Sequence, residues 1–346
     1  MIAFRVDANE HIASGHLMRC MALAMQLRKQ GEECIFYMAD DTYKERLEDQ
    51  GFAYHILHSD WKNLEGELPV LEEQLREKEI EWLIVDSYQA TPEYLRRLNQ
   101  MVRVCYFDDS GQQCWQVAAV IHYSDWLEDR HYFELYQGTD TIVMAGMEYT
   151  PLREEFYYSP QQNHQKKILL TTGGTDTYNV AGRFLEKALQ EKVFSEYTFQ
   201  VIIGGMNGFK EALKKEYGKH PQVELLFDVN CMGDLMRQSA YGISAGGTTL
   251  YELCACVVPS VCFSFAQNQE EFAKSMGEKQ IMLYAGDARE DREGVIAVVD
   301  GLFTNLKKMM EDKSLKENLE KNMRKLVDGK GTERIAKTLQ GIERRK

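Results

Sequence analysis

Short apolar, β-branched runs alternate along the first half of the chain with longer stretches whose apolar positions recur every three to four residues. That alternation predicts βαβ units and a parallel sheet. Ile2–Asp7 reads as a strand and Leu17–Lys29 as a helix with Leu17, Cys20, Met21, Ala24 and Leu27 on one face. Cys34–Ala39, Ala53–Leu57, Trp82–Asp86, Val102–Asp108, Ala118–His122 and Thr141–Ala145 continue as strands, with helices at Val70–Lys78 and Pro92–Gln100. Tyr157–Lys167 is polar, aperiodic and carries a proline, so it reads as an inter-domain linker.

The alternation then restarts. Ile168–Thr172, Thr198–Ile203, Val223–Phe227, Tyr241–Ser244 and Ser260–Phe265 read as strands of a second sheet. Helices at about Asn179–Gln190, Gly208–Tyr217, Met232–Gln238 and Thr248–Cys256 lie between them, and everything after Arg289 reads as charged helix. The predicted fold is α/β: two Rossmann-type, doubly wound parallel-sheet domains, residues 1–157 and 158–346, facing a central cleft. Ligands of such sheets sit beyond the carboxyl ends of the strands, and a cleft with two such edges suits a bipartite ligand.

Length and composition agree with this. A chain of 346 residues exceeds one ordinary core. The hydrophobic fraction of 44% and charged fraction of 27% are those of a globular protein. A net charge of −13 argues against a nucleic-acid or anionic-membrane partner. It leaves room for an anionic small ligand held by backbone N–H groups. The 8 cysteines form no C-x-x-C pair, which fits a reducing cytosol. The first residues alternate as a strand rather than as a signal peptide, and no apolar run approaches the roughly 18 residues of a membrane span. The expectation is a cytoplasmic monomer without metal or cofactor; His55 and His58 have no carboxylates at ligand spacing.

Four constellations could carry chemistry. The first joins Arg5, Asp7 and Asn9 at a strand end to Ser14, Gly15, His16 and Arg19 at a helix start. Ser14 can cap the helix and Gly15 lets backbone approach a ligand. His16 falls in the first turn, where the dipole disfavours imidazolium and keeps the ring able to accept a proton. A packing or capping histidine is the competing reading; the polar residues on both sides weigh against it. The second is the strand end Asp86-Ser87-Tyr88, where Asp86 could orient His16 or a hydroxyl and Tyr88 could contact sugar or water. Phe107-Asp108-Asp109-Ser110 invites the same reading, but there a turn-capping aspartate is favoured.

The third is Gly173-Gly174 after a strand, with Asp176 following and Asn179 opening a helix, a turn open to phosphate. The fourth is Gly246-Gly247-Thr248-Thr249 with Glu252 one turn on. It would wrap a diphosphate and offer a carboxylate to both ribose hydroxyls. Asn268 and Gln269, at the start of another helix, would add amide donors.

The run from Gly246 to Glu252 with the later Asn268-Gln269 resembles the nucleotide site of MurG-type GT-B glycosyltransferases. The N-terminal Arg5-Val6-Asp7-Ala8-Asn9 and Gly15-His16-Leu17-Met18-Arg19-Cys20 are similar to the PseG family. Those hydrolases of pseudaminic acid biosynthesis cleave UDP-2,4-diacetamido-2,4,6-trideoxy-β-L-altropyranose. Asp86 and Tyr88, Gly173 to Asp176, and Gly146, Tyr149, Leu152, Arg153 and Phe156 look like the same family, up to about residue 275. Ala13 stands where that pattern has glycine, and the stretches after Asp109 and around His122-Tyr123 depart from it.

The resemblance implies a GT-B-like fold and metal-independent, inverting attack of water on the anomeric carbon. His16, Asp86 and Tyr88 would be catalytic. Arg5, Asp7, Asn9, Gly15, Arg19, Tyr149, Arg153, Asn268 and Gln269 would hold the sugar. Gly173, Gly174, Gly246, Gly247, Thr248, Thr249 and Glu252 would hold UDP. Two other functions stay open on one scaffold: transfer of the sugar to an acceptor, and nucleotide-sugar binding without catalysis.

Overall fold

Strands buried on both faces must be covered on both sides, and Ile2–Val6 and Trp82–Asp86 are buried throughout. The structure, a computed structural model, describes residues 1–9, 15–123, 129–157, 165–229 and 231–341, without the side chains of residues 129, 130 and 268. The chain forms two compact units, Met1–Arg153 with the segment from Lys330 onward, and Glu154–Gly329. Among the described residues no helix is long and apolar enough to cross a membrane.

In the first unit, β1 (Ile2–Val6), β2 (Cys34–Met38), β3 (Ala53–Ile56), β4 (Trp82–Asp86), β5 (Arg103–Phe107), β6 (Ala119–His122) and β7 (Ile142–Ala145) form one sheet. All seven are parallel, in the order β3-β2-β1-β4-β5-β6-β7. The connecting helices are α1 (Gly15–Lys29), α2 (Lys44–Asp49), α3 (Leu68–Glu77), α4 (Pro92–Asn99) and α5 (Asp129–Leu135). β1 and β4 are buried along their whole length. Thr91 caps α4 by accepting from Tyr94 N, and Pro92 supplies the pre-set first turn.

The second unit repeats the scheme with β8 (Gln165–Thr171), β9 (Thr198–Ile203), β10 (Val223–Phe227), β11 (Ser239–Ala245), β12 (Ser260–Ser264) and β13 (Leu283–Asp287). Its order is β10-β9-β8-β11-β12-β13, again parallel throughout. The helices are α6 (Val180–Ala188), α7 (Lys210–Tyr217), α8 (Met232–Gln238), α9 (Thr249–Ala255), α10 (Gln267–Glu278), α11 (Gly294–Glu311) and α12 (Lys313–Leu326). The last helix, α13 (Gly331–Gly341), belongs to the first unit and packs on α1.

Two expectations need correcting. The sequence puts everything from residue 158 in one domain, whereas the chain re-enters the first unit at Lys330. α13 buries Thr332, Ile335, Ala336 and Leu339 there, and that spacing marks one apolar face without saying which sheet it will cover. β13 was missed because Leu-Tyr-Ala-Gly-Asp is short and broken by Gly286 at φ +114°, where its register slips against β12. Residues 158–164 of the expected linker lie outside the described residues, and Gln165–Lys167 already belong to β8.

The docking of α13 has a tight point. A Cβ on Gly331 would lie 2.0 Å from Thr150 O. Gly331→Ala is expected to destabilise the first unit by about 1–3 kcal/mol, more than the ~1 kcal/mol alanine returns in helix propensity. Calorimetry should show a lowered Tm; an unchanged or raised Tm would mean the helix end yields.

Candidate functional site

A doubly wound sheet opens a crevice where its strand order reverses. In the first sheet that point lies between β1 and β4; in the second, between β8 and β11. The sequence puts His16 after β1, Asp86 and Tyr88 at the end of β4, Gly173-Gly174 after β8, and Gly246-Gly247 after β11. Each set of candidates therefore falls at the reversal point of its own sheet.

At the first, α1 begins at Gly15, so His16 stands in its opening turn. Ser14 lies outside the described residues. His16 is buried and its Nδ1 bonds Asp86 Oδ1. Burial alone would push the Asp86 carboxyl up; the Arg19 guanidinium and His16 outweigh that and hold it well below the usual carboxylate range. An ionised carboxylate only accepts, so Nδ1 carries the ring proton and Nε2 is the basic nitrogen. That is the arrangement of a general base steadied by a carboxylate.

Arg19, one turn along α1, holds this pair in place. Its Nε donates to Asp86 Oδ2 and its Nη2 to Asp86 Oδ1, both at 2.6 Å. The other edge donates to Asp109, Nη1 to Oδ1 at 3.1 Å and Nη2 to Oδ2 at 3.0 Å. The remaining Nη1 hydrogen goes to the Tyr123 hydroxyl oxygen at 2.6 Å. All five donors of the guanidinium are then used. Its face lies 4.8 Å from the Phe107 ring. Tyr88 donates to Asp109 Oδ2 at 3.0 Å, and its ring meets the His16 ring edge-on, centroids 4.6 Å apart. The contacts run in a circle: His16, Asp86, Arg19, Asp109, Tyr88, and back to His16.

Three of the expected sugar contacts, Arg19, Arg5 and Asp7, have protein partners in the structure. Arg19 has no N–H left for a hydroxyl. Arg5 is fully buried, its Nε and Nη2 on the Glu67 carboxylate at 2.5 and 2.7 Å and its Nη1 against Asp7 at 2.7 Å. Glu67 also accepts from Ser59 and Tyr94, and Asp7 accepts from Ala39 N. Arg5 and Asp7 are consumed by the floor of the site, and Asn9 is buried beside them. Tyr149 and Arg153 follow the edge strand β7, three strands from β4, about 14 Å away at ordinary strand spacing.

The network also contains residues that the sequence reading did not place in the site. Asp108 does cap its turn, accepting from Ser110 N and Gly111 N. Its neighbour Asp109 points into the circle. A strand ending in two successive aspartates was the available signal, since adjacent residues there face opposite ways. Glu67 and Tyr123 carried no pattern at all.

At the second reversal point, Gly173 takes φ +79° and is exposed with Gly174. The expected helix N-terminus behind them is already occupied: buried Asp176 accepts from Val180 N at 2.7 Å and Ala181 N at 3.1 Å. Gly204 packs so closely on this turn that a Cβ would lie 2.3 Å from Gly173 O. After β11, Gly246 N donates to Phe263 O and Gly247 N to Ala245 O. Gly246 is buried against α10, where a Cβ would meet Ala273 and Gln269 at 3.0 Å. It is therefore a packing glycine, while the N–H groups of Thr248 and Thr249 make no bond among the described residues. Glu252 is half-buried on α9, one turn from Thr248. Gln269 turns its Oε1 back to Phe265 N, and the Asn268 side chain lies outside the described residues. Among the described residues no group of three His, Cys, Asp or Glu could hold a metal ion.

No protein-family model matches the chain. It is 26% identical to the spore coat polysaccharide biosynthesis protein SpsG of Bacillus subtilis, over 97% of this chain and 96% of that protein. It is 23% identical to the UDP-2,4-diacetamido-2,4,6-trideoxy-β-L-altropyranose hydrolase of Campylobacter jejuni, over 80% of this chain and 96% of the other. Among solved structures it matches MurG of Acinetobacter baumannii with a TM-score of 0.65 at 14% identity, covering 99% of each chain. The fold is GT-B.

The floor makes a prediction of its own. Glu67→Ala leaves a buried guanidinium with Asp7 alone and should cost about 3 kcal/mol. Denaturant melts should show that loss. A stability within about 0.5 kcal/mol of wild type would mean that Asp7 suffices.

Proposed function

We propose that this protein hydrolyses a UDP-linked 2,4-diacetamido-2,4,6-trideoxy sugar at its anomeric carbon, releasing UDP and free sugar for nonulosonic (pseudaminic) acid biosynthesis. The observation that carries the reading is the His16–Asp86 pair, a carboxylate-steadied base at the reversal point of the first sheet. The likeness to the hydrolase, over 80% of this chain and 96% of the other, supports the substrate class.

In this reading His16 Nε2 takes a proton from water as its oxygen attacks the anomeric carbon. The bond from that carbon to the β-phosphate oxygen breaks, the configuration inverts, and the electron pair leaves with UDP. Asp86, already ionised, balances the imidazolium that forms. The charge growing on the diphosphate is met by the open N–H groups of Thr248 and Thr249, with Gly173-Gly174 alongside, and Glu252 accepts from the ribose hydroxyls. Every step uses side chains and backbone alone.

His16→Asn should lower kcat for UDP release by about a hundred- to ten-thousand-fold while UDP binding by calorimetry stays within about threefold. Near-normal turnover would sink the assignment.

A second reading, transfer of the sugar to an acceptor, draws on the full-length match to a polysaccharide biosynthesis protein. The two part in one experiment. With the UDP-sugar alone, in EDTA, NMR should show free sugar appearing in step with UDP. If UDP release waits on an added acceptor, transfer is the function.

A further inference from the structure

Asp109 touches none of the atoms that the proposed reaction uses, yet it binds two groups that border His16, Arg19 and Tyr88. Arg19 is gripped at one edge by Asp86 and at the other by Asp109. Tyr88, the ring against His16, is anchored only through its hydroxyl on Asp109 among the described residues and is 63% exposed. Asp109 itself is set rigidly. The turn after β5 is locked by Asp108, which accepts from Ser110 N, the Ser110 hydroxyl, Gly111 N and the Tyr132 hydroxyl.

Charge shows what this arrangement does. Asp86 and Asp109 bring two negative charges to the one positive charge of Arg19, so the three together carry an excess of one. An imidazolium at His16 makes the set neutral. Without Asp109, Arg19 and Asp86 cancel each other, and a proton arriving on His16 meets no unbalanced charge. Both forks of Arg19 would then compete for Asp86, whose Oδ1 is also the acceptor for His16 Nδ1. The groups against His16 are Asp86, Arg19 and Tyr88, and those bonded to them in turn are Cys20 of α1, Asp109 after β5 and Tyr123 after β6.

We propose that Asp109 is a positioning residue for the His16 reaction: through Arg19 it keeps the Asp86 carboxylate available to His16, and through Tyr88 it fixes the ring beside it. This rests on the hydrolytic reading of His16, and its test has an arm that does not.

Asp109→Asn removes the charge and keeps the shape; Asp109→Glu restores the charge. In the kinetic arm, Asp109→Asn should lower kcat by about ten- to a hundredfold with KM changed less than about threefold, and Asp109→Glu should recover part of the loss. In the spectroscopic arm, proton NMR of the unliganded protein follows the downfield Nδ1–H signal of His16, identified by its loss in His16→Asn. That signal should move in Asp109→Asn and return toward its wild-type position in Asp109→Glu. A kcat within about twofold of wild type, a loss carried wholly by KM, or an unmoved signal overturns the proposal. If wild type turns over no UDP-sugar, the hydrolytic reading has failed separately, and the NMR signal alone decides the role of Asp109.

Discussion

The first unit depends on one cation. Burying a guanidinium costs several kcal/mol unless its charge and all its donors are met, and three side chains meet those of Arg19. Asp86 arrives on β4, Asp109 after β5, Tyr123 after β6, and Arg19 itself from α1. The carboxyl ends of three neighbouring strands are thereby fixed against one helix start. Side chains held this way keep their rotamers, and a base must be held to a fraction of an ångström to act. Burial and chemistry share one constraint.

Arg5 repeats the device one layer down, between Asp7 and Glu67. Each arginine faces two carboxylates, so each layer carries more negative than positive charge. Such a field suits a group that becomes positive, such as a protonated imidazole, and repels a diphosphate. In the second unit the N–H groups of Thr248 and Thr249 make no bond among the described residues, and the carboxylate of Asp176 is spent on capping α6. Open backbone N–H groups can hold an anion by their local dipoles even in a chain of net charge −13.

Much of this was legible in the residues, for identifiable reasons. Continuous apolar runs such as Trp82–Val85 can only be doubly covered strands, so two parallel sheets followed from period and length. The positions of Asp86 and Tyr88 were legible because polar residues closing an apolar strand lie at its end, and that of His16 because a serine and a glycine precede an apolar helical period. What was not legible is partnership. Arg5, Arg19 and Asp7 are as polar as any sugar ligand, and nothing local distinguishes a side chain facing a ligand from one facing a buried carboxylate sixty residues away. Glu67 sits in a charged stretch, Asn63-Leu64-Glu65-Gly66-Glu67, that looks like solvated surface. The packing of Gly246 on α10 was not legible either, because a glycine that clears a helix and one that clears a phosphate look alike in sequence.

One scaffold can carry hydrolysis or transfer, and the difference lies in which nucleophile reaches Nε2. His16 is buried, and its Nδ1 is committed to Asp86. The one exposed ring of the circle is Tyr88, which lies against His16 and is anchored to the same Asp109 that braces Arg19. The same carboxylate thus ties the exposed ring beside the base to the arginine that holds Asp86, so a ligand that moved Tyr88 would act on the base through Asp109.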